Sequence, residues 1–272
     1  MTVAAAPAVF SIGNVISRTF SVLGRNAVLL LLLSVLLVGI PTAIVNVLQM
    51  TLLSGSNRAD LFTPLNIGLG LLGMLIGVAS NAVLQAAVIY ATVDDLSGRK
   101  ASLGDSLAVG LRYFLPLLGI SIIVGAGCFV GAIFFIIPGV LLALALSVAA
   151  PVAVMERTGV FGALGRSVEL TRNNRGAIFV LGLAYVVVLW IVEMVIAAVI
   201  GGFGFASIAS SARVGAMSAD SLQAFKWISM GLALLTSTLL ASLSSAGIAS
   251  IYFELRQTKE GVGAQQLAAV FD

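Results

Sequence analysis

Six long apolar runs, separated by short stretches that hold most of the charge, set the pattern of this chain. They cover about 26–48, 64–93, 113–136, 139–157, 176–200 and 223–253. A helix needs about 20 apolar residues to cross the hydrocarbon core of a bilayer. None of the runs shows the two-residue alternation of a transmembrane barrel strand. The pattern therefore predicts an all-α, polytopic helical membrane protein with about six transmembrane helices in a single membrane domain over 1–272. The second and sixth runs are longer than a span requires and are expected to tilt or to extend beyond the lipid. The third and fourth are joined by Pro138-Gly139 in FFIIPGVLL, which reads as a tight hairpin. Pro41 and Pro151 fall inside runs and predict kinks.

The charged stretches carry a second pattern. In SIGNVISRTFSVLGR, Ile12, Val15, Ile16, Thr19, Phe20 and Leu23 share one helical face, and Asn14, Arg18, Ser21 and Arg25 share the other. SLGDSLAVGLRYF sets Leu103, Leu107, Leu111 and Phe114 opposite Asp105 and Arg112. In VMERTGVFGALGRSVELTRNNRGAIF, Val160, Phe161, Leu164 and Val168 oppose Arg166 and Glu169. Such segments lie in the headgroup plane with their apolar side in the acyl boundary. Three interfacial helices, about 10–25, 101–113 and 159–172, are thus predicted. Each precedes two spans, so the chain reads as three copies of an interfacial helix plus a transmembrane hairpin.

Composition sharpens this picture. Of 272 residues, 60% are hydrophobic and 9% charged, against about 25% charged in soluble domains. The first run is too long for a signal-peptide core and is expected to remain as a helix. Eleven Lys and Arg residues fall in the termini, the 94–112 loop and the 156–175 loop, and three (Arg58, Arg213 and Lys226) fall on the opposite side. That bias predicts both termini on the cytoplasmic side.

Four-residue stripes of small and polar residues predict close helix packing: Gly73, Gly77, Asn81 and Gln85; Gly127 and Gly131; and Thr238, Ser242, Ala246 and Ser250, flanked by Ser237, Ala241 and Ser245. The same residues would serve a polar groove for a lipid or solute. Asn81, Gln85 and Glu193 are the intramembrane polar candidates, because a carboxylate within a span is costly and draws functional suspicion.

Reactive chemistry finds little to work with. The chain has no histidine, which removes Ser-His-Asp, Cys-His and HExxH arrangements. Cys128 has no cation beside it in sequence and reads as a small core residue. No phosphate-binding loop motif occurs, and Gly201-Gly202-Phe203-Gly204 reads as a flexible loop. Asp94-Asp95 could pair with Arg99 and Lys100, and is read first as a solvated surface cluster. No catalytic residue, metal site or cofactor is predicted, and the basic residues are too few for a nucleic-acid footprint.

Pro151, Glu156, Gly159, Ala163, Arg166-Ser167 and Leu170-Thr171 resemble a signature of the glycerophosphoryl diester phosphodiesterase membrane-domain family. So do Ile137-Pro138-Gly139 and the ending IYFELRQTKEGVGAQQLAAVFD, with Tyr252, Glu254-Leu255-Arg256 and Lys259-Glu260-Gly261. The resemblance implies a bacterial membrane domain that also occurs without the soluble enzyme. The soluble enzyme uses histidines and metal-binding carboxylates, so hydrolysis is not implied here. It implies a place close to phospholipid or glycerophosphodiester metabolism, in the bacterial cytoplasmic membrane.

Within that frame Glu156 and Arg166 are expected to clamp the third interfacial helix to the bundle. Alternatively Arg166, Arg172 and Arg175 grip a lipid phosphate. The first functional expectation is a non-catalytic scaffold or accessory subunit that meets phospholipids, partner membrane proteins or both. The second is a transporter or lipid-translocating protein linked to glycerophospholipid metabolism.

Overall fold

The computed structural model describes residues 10–52, 63–134, 136–214 and 219–261, and every element in them is a helix. The short α1 (Ile12–Arg25) leads into α2 (Ala27–Ser34), a π turn (Val35–Gly39) and α3 (Ile40–Leu52). Then come α4 (Pro64–Leu96), α5 (Leu103–Phe134), α6 (Ile136–Ala145), α7 (Ala149–Glu156), α8 (Gly159–Thr171), α9 (Arg175–Val214) and α10 (Ala219–Glu260). Six stretches among the described residues are long and apolar enough to cross a membrane. The protein is an all-α polytopic membrane protein. Its exposed Val28, Met74, Leu115, Phe129 and Trp190 are the side chains that lipid would cover.

One helix organises the rest. The half of α4 from Ala82 to Val93 is mostly apolar and mostly buried, with Gln85 and Tyr90 only partly covered. Ala82, Ala86, Ile89 and Val93 face one core with Leu117, Val148, Val152, Leu170, Tyr252 and Leu255. Leu84, Ala87, Val88 and Ala91 face a second with Leu30, Leu33, Val38 and Ala246. The other half of α4 is largely uncovered, with Leu65, Leu71, Leu72, Met74 and Leu75 exposed. The core therefore sits towards one end of the bundle, where α1, the end of α4, α7, α8 and the end of α10 meet. This end is the charged rim.

The expected repeat breaks at its middle copy. Residues 101–113 do not form a separate interfacial helix, because Leu103 begins a continuous α5 that runs alongside α4 from its first turns. Gly110 explains the fit: a Cβ there would lie 2.8 Å from the backbone oxygen of Val83 and 3.3 Å from the Ala87 methyl. Only a bare backbone approaches that closely. The α1 and α8 segments do form separate short helices.

The prolines act differently from expectation in two places. Phe134 ends α5 and Ile136 starts α6, so Pro138-Gly139 is not the turn of the hairpin. Pro138 instead occupies the first turn of α6, where the absent N–H costs little. The run 139–157 is broken, not merely kinked: α6 ends at Ala145 and α7 starts at Ala149, with Pro151 in its first turn. Before Pro41 the helix widens into the π turn at Val35–Gly39, one of the usual ways a helix adjusts to a lost backbone bond.

Glycine alone does not end α9. The helix continues through Gly201 and Gly202 to Val214, in place of the flexible loop expected at 201–204. A glycine costs about 1 kcal/mol in a helix interior, which a long apolar helix absorbs. Residues 262–272 and Arg58 lie outside the described residues, as do the side chains of Arg213 and Lys226.

Replacing Gly110 with alanine forces α4 and α5 apart and should lower stability by about 1–3 kcal/mol. At Gly125 of the same helix nothing lies within 4 Å of the added methyl, so Gly125→Ala should be neutral or raise stability through helix propensity, by at most about 1 kcal/mol. Thermal unfolding of both variants in one detergent checks the contrast.

Candidate functional site

At the charged rim three joints tie the amphipathic helices to the membrane bundle. The first fixes α1. Arg18 Nη1 bonds Glu254 Oε2 at 2.6 Å and its Nη2 donates to Gln257 Oε1 at 2.7 Å. Glu254 is only 3% exposed, and its second oxygen accepts from Asn14 Nδ2 and the Ser11 backbone N–H, both at 3.2 Å. The Arg18 guanidinium also lies 4.9 Å from the centre of the Phe253 ring. Arg18 and Asn14 thus bond to α10, while Ile16 and Phe20 are the exposed large apolar side chains of α1.

The second joint ties α1 to the end of α4. Arg25 Nη2 bonds Asp95 Oδ2 at 2.6 Å, and Arg99 Nε bonds Asp94 Oδ1 at 2.9 Å. Asp94 is 7% exposed, so the pair Asp94-Asp95 is not the solvated cluster expected. Two helices meet on it, and each carboxylate holds a different arginine.

The third joint is the densest. Arg166 of α8 donates through Nε to Glu156 Oε2 at 3.1 Å and through Nη1 to Glu169 Oε2 at 3.0 Å, and its Nη2 pairs with Glu260 of α10. Burial works against its charge, but Glu169 and Glu156 outweigh that and hold the guanidinium above its ordinary pKa. Glu156 also accepts from the Tyr252 hydroxyl at 3.0 Å. Arg256 reaches the same oxygen of Tyr252 at 3.3 Å and bonds Glu260 at 2.8 Å.

Hydroxyls complete this joint at the helix break. The N–H of Ala149 bonds the carbonyl of Leu146, one residue short of a regular α-helical step. That leaves the Ala145 carbonyl free, deep in the protein. Ser167 Oγ and Thr171 Oγ1 of α8 donate to it at 2.9 and 3.2 Å. Broken backbone at membrane depth has to be satisfied by neighbouring side chains in this way. Glu156, Arg166, Ser167 and Thr171 therefore meet at one joint.

Arg172 and Arg175 stand apart from Arg166. They belong to the turn between α8 and α9, where Asn173 takes a left-handed φ of 71°. With Val168, Asn173 and Gly176 they line a cavity of about 490 Å³. Neither has a carboxylate partner among the described residues. The Nε of Arg175, the first residue of α9, is buried with no hydrogen-bond partner. Lys259 Nζ caps the end of α8, donating to the carbonyls of Glu169 and Arg172 at 2.7 and 2.8 Å.

The intramembrane candidates separate as well. Asn81 and Gln85 line a cleft of about 470 Å³ between α4, α5 and α10, together with Ser121, Ser244 and Ser245. Glu193 is exposed on α9 and is not part of that cleft.

Sequence reasoning gave no role to Tyr252, Glu254, Ser167 or Thr171. Their signal was weak: a carboxylate and a tyrosine just beyond a span, and two hydroxyls one helical turn apart. Comparison with protein-family models, curated proteins and solved structures gives no match.

Removing the guanidinium with Arg166→Gln takes from the partly buried Glu156 its nearest cation and leaves Glu260 to Arg256 alone. It should cost about 2–4 kcal/mol. Tyr252→Phe loses the hydroxyl that donates to Glu156 and accepts from Arg256, and should cost about 1.5–3 kcal/mol. Combined in one chain, the two changes should sum to less than their separate costs, because both act on Glu156. Unfolding of the singles and the double gives the coupling directly.

Proposed function

We propose that this chain is a non-catalytic integral membrane protein, a scaffold or accessory subunit, that holds anionic phospholipid headgroups at a cytoplasmic rim. One observation carries the reading: the different fates of the rim arginines. Arg18, Arg25, Arg99, Arg166 and Arg256 each reach a carboxylate. Among the described residues Arg112, Arg157, Arg172 and Arg175 do not, and of these Arg172 and Arg175 share a cavity lined also by Val168 of α8, the helix that exposes Phe161.

The chemistry of that cavity suits a phosphate diester. Two guanidinium groups offer paired donors to phosphate oxygens. The first N–H groups of α9 and its positive helix end favour the same charge. The exposed Phe161 and Val168 suit the acyl boundary directly below a headgroup. The excess of Lys and Arg on this side supports a cytoplasmic placement. The resemblance to the membrane-domain family supports an association with phospholipid metabolism without importing its hydrolysis.

A basic residue near an anionic surface contributes about 1 kcal/mol, so Arg172→Gln with Arg175→Gln should weaken phosphatidylglycerol binding about tenfold to thirtyfold. Phosphatidylcholine binding should change little, and Arg166→Gln should lower stability but keep the lipid preference. Native mass spectrometry of the protein released from lipid discs reads both. Equal phosphatidylglycerol retention in the double variant and the unchanged protein would overturn the reading.

A further inference from the structure

The cleft between α4, α5 and α10 lies at the other polar extreme from the rim. Counting 1.5 Å per residue along α4, Gln85 is about 14 Å and Asn81 about 20 Å from Asp94, near the middle of the hydrocarbon. Ser244 on α10 is about 15 Å from Glu254, at the same depth. No ionisable side chain lines the cleft. Its volume, about 470 Å³, falls in the range of small-molecule sites, roughly 300–1,000 Å³.

Its hydrogen-bonding groups are left unused. Most hydroxyls on α10 turn back onto their own helix: Thr236, Ser237, Thr238 and Ser245 bond carbonyls three or four residues earlier. Ser244 and Ser121 make no such bond, and the Gln85 amide has no protein partner among the described residues. Asn81 spends one N–H on the Gly77 carbonyl and leaves its own oxygen open. Gly77, unlike Gly73, has nothing within 4 Å of an added Cβ, so no helix closes this part of the stripe. Unpaired amides and hydroxyls in hydrocarbon cost several kcal/mol each, so an occupant that pairs with them is favoured.

Access selects that occupant. Towards the rim, Ala86 to Ile89 and Ala91 to Val93 of α4 are buried and shut the cleft off from the charged end. On its flank Met74 and Val78 are exposed where acyl chains would lie. A charged headgroup would enter without any counter-charge, at a prohibitive desolvation cost. We propose that the cleft binds an uncharged glycerolipid of the diacylglycerol type, its hydroxyl and ester carbonyls bonding Gln85, Asn81, Ser121 and Ser244. This site is independent of the phosphate cavity at Arg172 and Arg175.

The test uses the full chain in phosphatidylcholine discs that contain a diazirine-bearing diacylglycerol. After photolysis, adducts should map to α4 and α10 around the cleft. Unlabelled diacylglycerol should displace them and phosphatidylglycerol should not. Loss of one or two hydrogen bonds should cut cleft labelling about fivefold in Gln85→Leu and in Ser244→Ala. If Gln85→Leu fails to fold, Ser244→Ala, which removes a single oxygen, decides. Labelling spread evenly over α9 and the cleft would overturn the proposal. So would equal displacement by phosphatidylglycerol, unchanged labelling in the folded variants, or no labelling of the cleft.

Discussion

The rim depends on carboxylates placed where a helix would reject them. Asp94 and Asp95 close α4, Glu156 closes α7, and Glu254 and Glu260 lie in the last two turns of α10. A helix C-terminus carries partial negative charge, so an acid there is disfavoured unless a cation meets it. The cations come from Arg18 and Arg25 on α1, Arg99 in the loop after α4, Arg166 on α8 and Arg256 on α10 itself. Neither side is comfortable alone. Buried or half-buried, each acid needs its arginine, and the short helices α1 and α8 have too little length to be stable unsupported. The joints resolve both demands at once. They also set the angle at which α1 and α8 meet the bundle.

The distribution of packing follows. The rim end is close-packed around the buried half of α4, while the other end of α4 carries exposed leucines. Lipid tails are as apolar as leucine, so nothing drives such side chains together within the bilayer. Close packing arises where small residues let backbones meet. Gly110 against Val83 and Gly131 against Gly139 are two such places. Where a helix breaks, between Ala145 and Ala149, the exposed carbonyl takes two hydroxyls from α8, and that requirement fixes α8 as firmly as the ion pairs do.

Much of this was legible in the sequence. Six spans follow from run length, because a membrane span is set by local composition. The amphipathic character of α1 and α8 follows from helical periodicity. What periodicity leaves undecided is which face meets protein. Arg18 and Asn14 look lipid- or water-facing on a projection, yet they turn inward, because Glu254 lies 236 residues from Arg18 in the chain. The fused α5 was hidden for a similar reason. Residues 103–113 are amphipathic enough to lie flat, and only the close approach of Val83 to Gly110 stands them beside α4. The break at 146–148 depends on Ser167 and Thr171 to satisfy Ala145, a long-range compensation that no local pattern announces. Of the site residues, Glu156 and Arg166 could be paired from their nearness in sequence. The separation of Arg166 from Arg172 and Arg175 could not.

That separation is decided by charge arithmetic more than by position. Arg172 follows Arg166 by six positions in the chain, but among the described residues three carboxylates converge on the first and none on the second. A guanidinium already bonded to Glu156, Glu169 and Glu260 has less left to offer a phosphate, since each of its three nitrogens is engaged and its charge is more than balanced. An arginine without such company keeps its charge and its donors available. The same logic, run in the opposite direction, applies at the depth of Gln85. There the protein supplies donors and acceptors but no charge, and hydrocarbon admits only a partner equally neutral. Under the two proposals one chain presents two chemically exclusive surfaces to one bilayer: a cationic one where phosphates lie, and an uncharged one where esters and hydroxyls are the most polar groups that can enter.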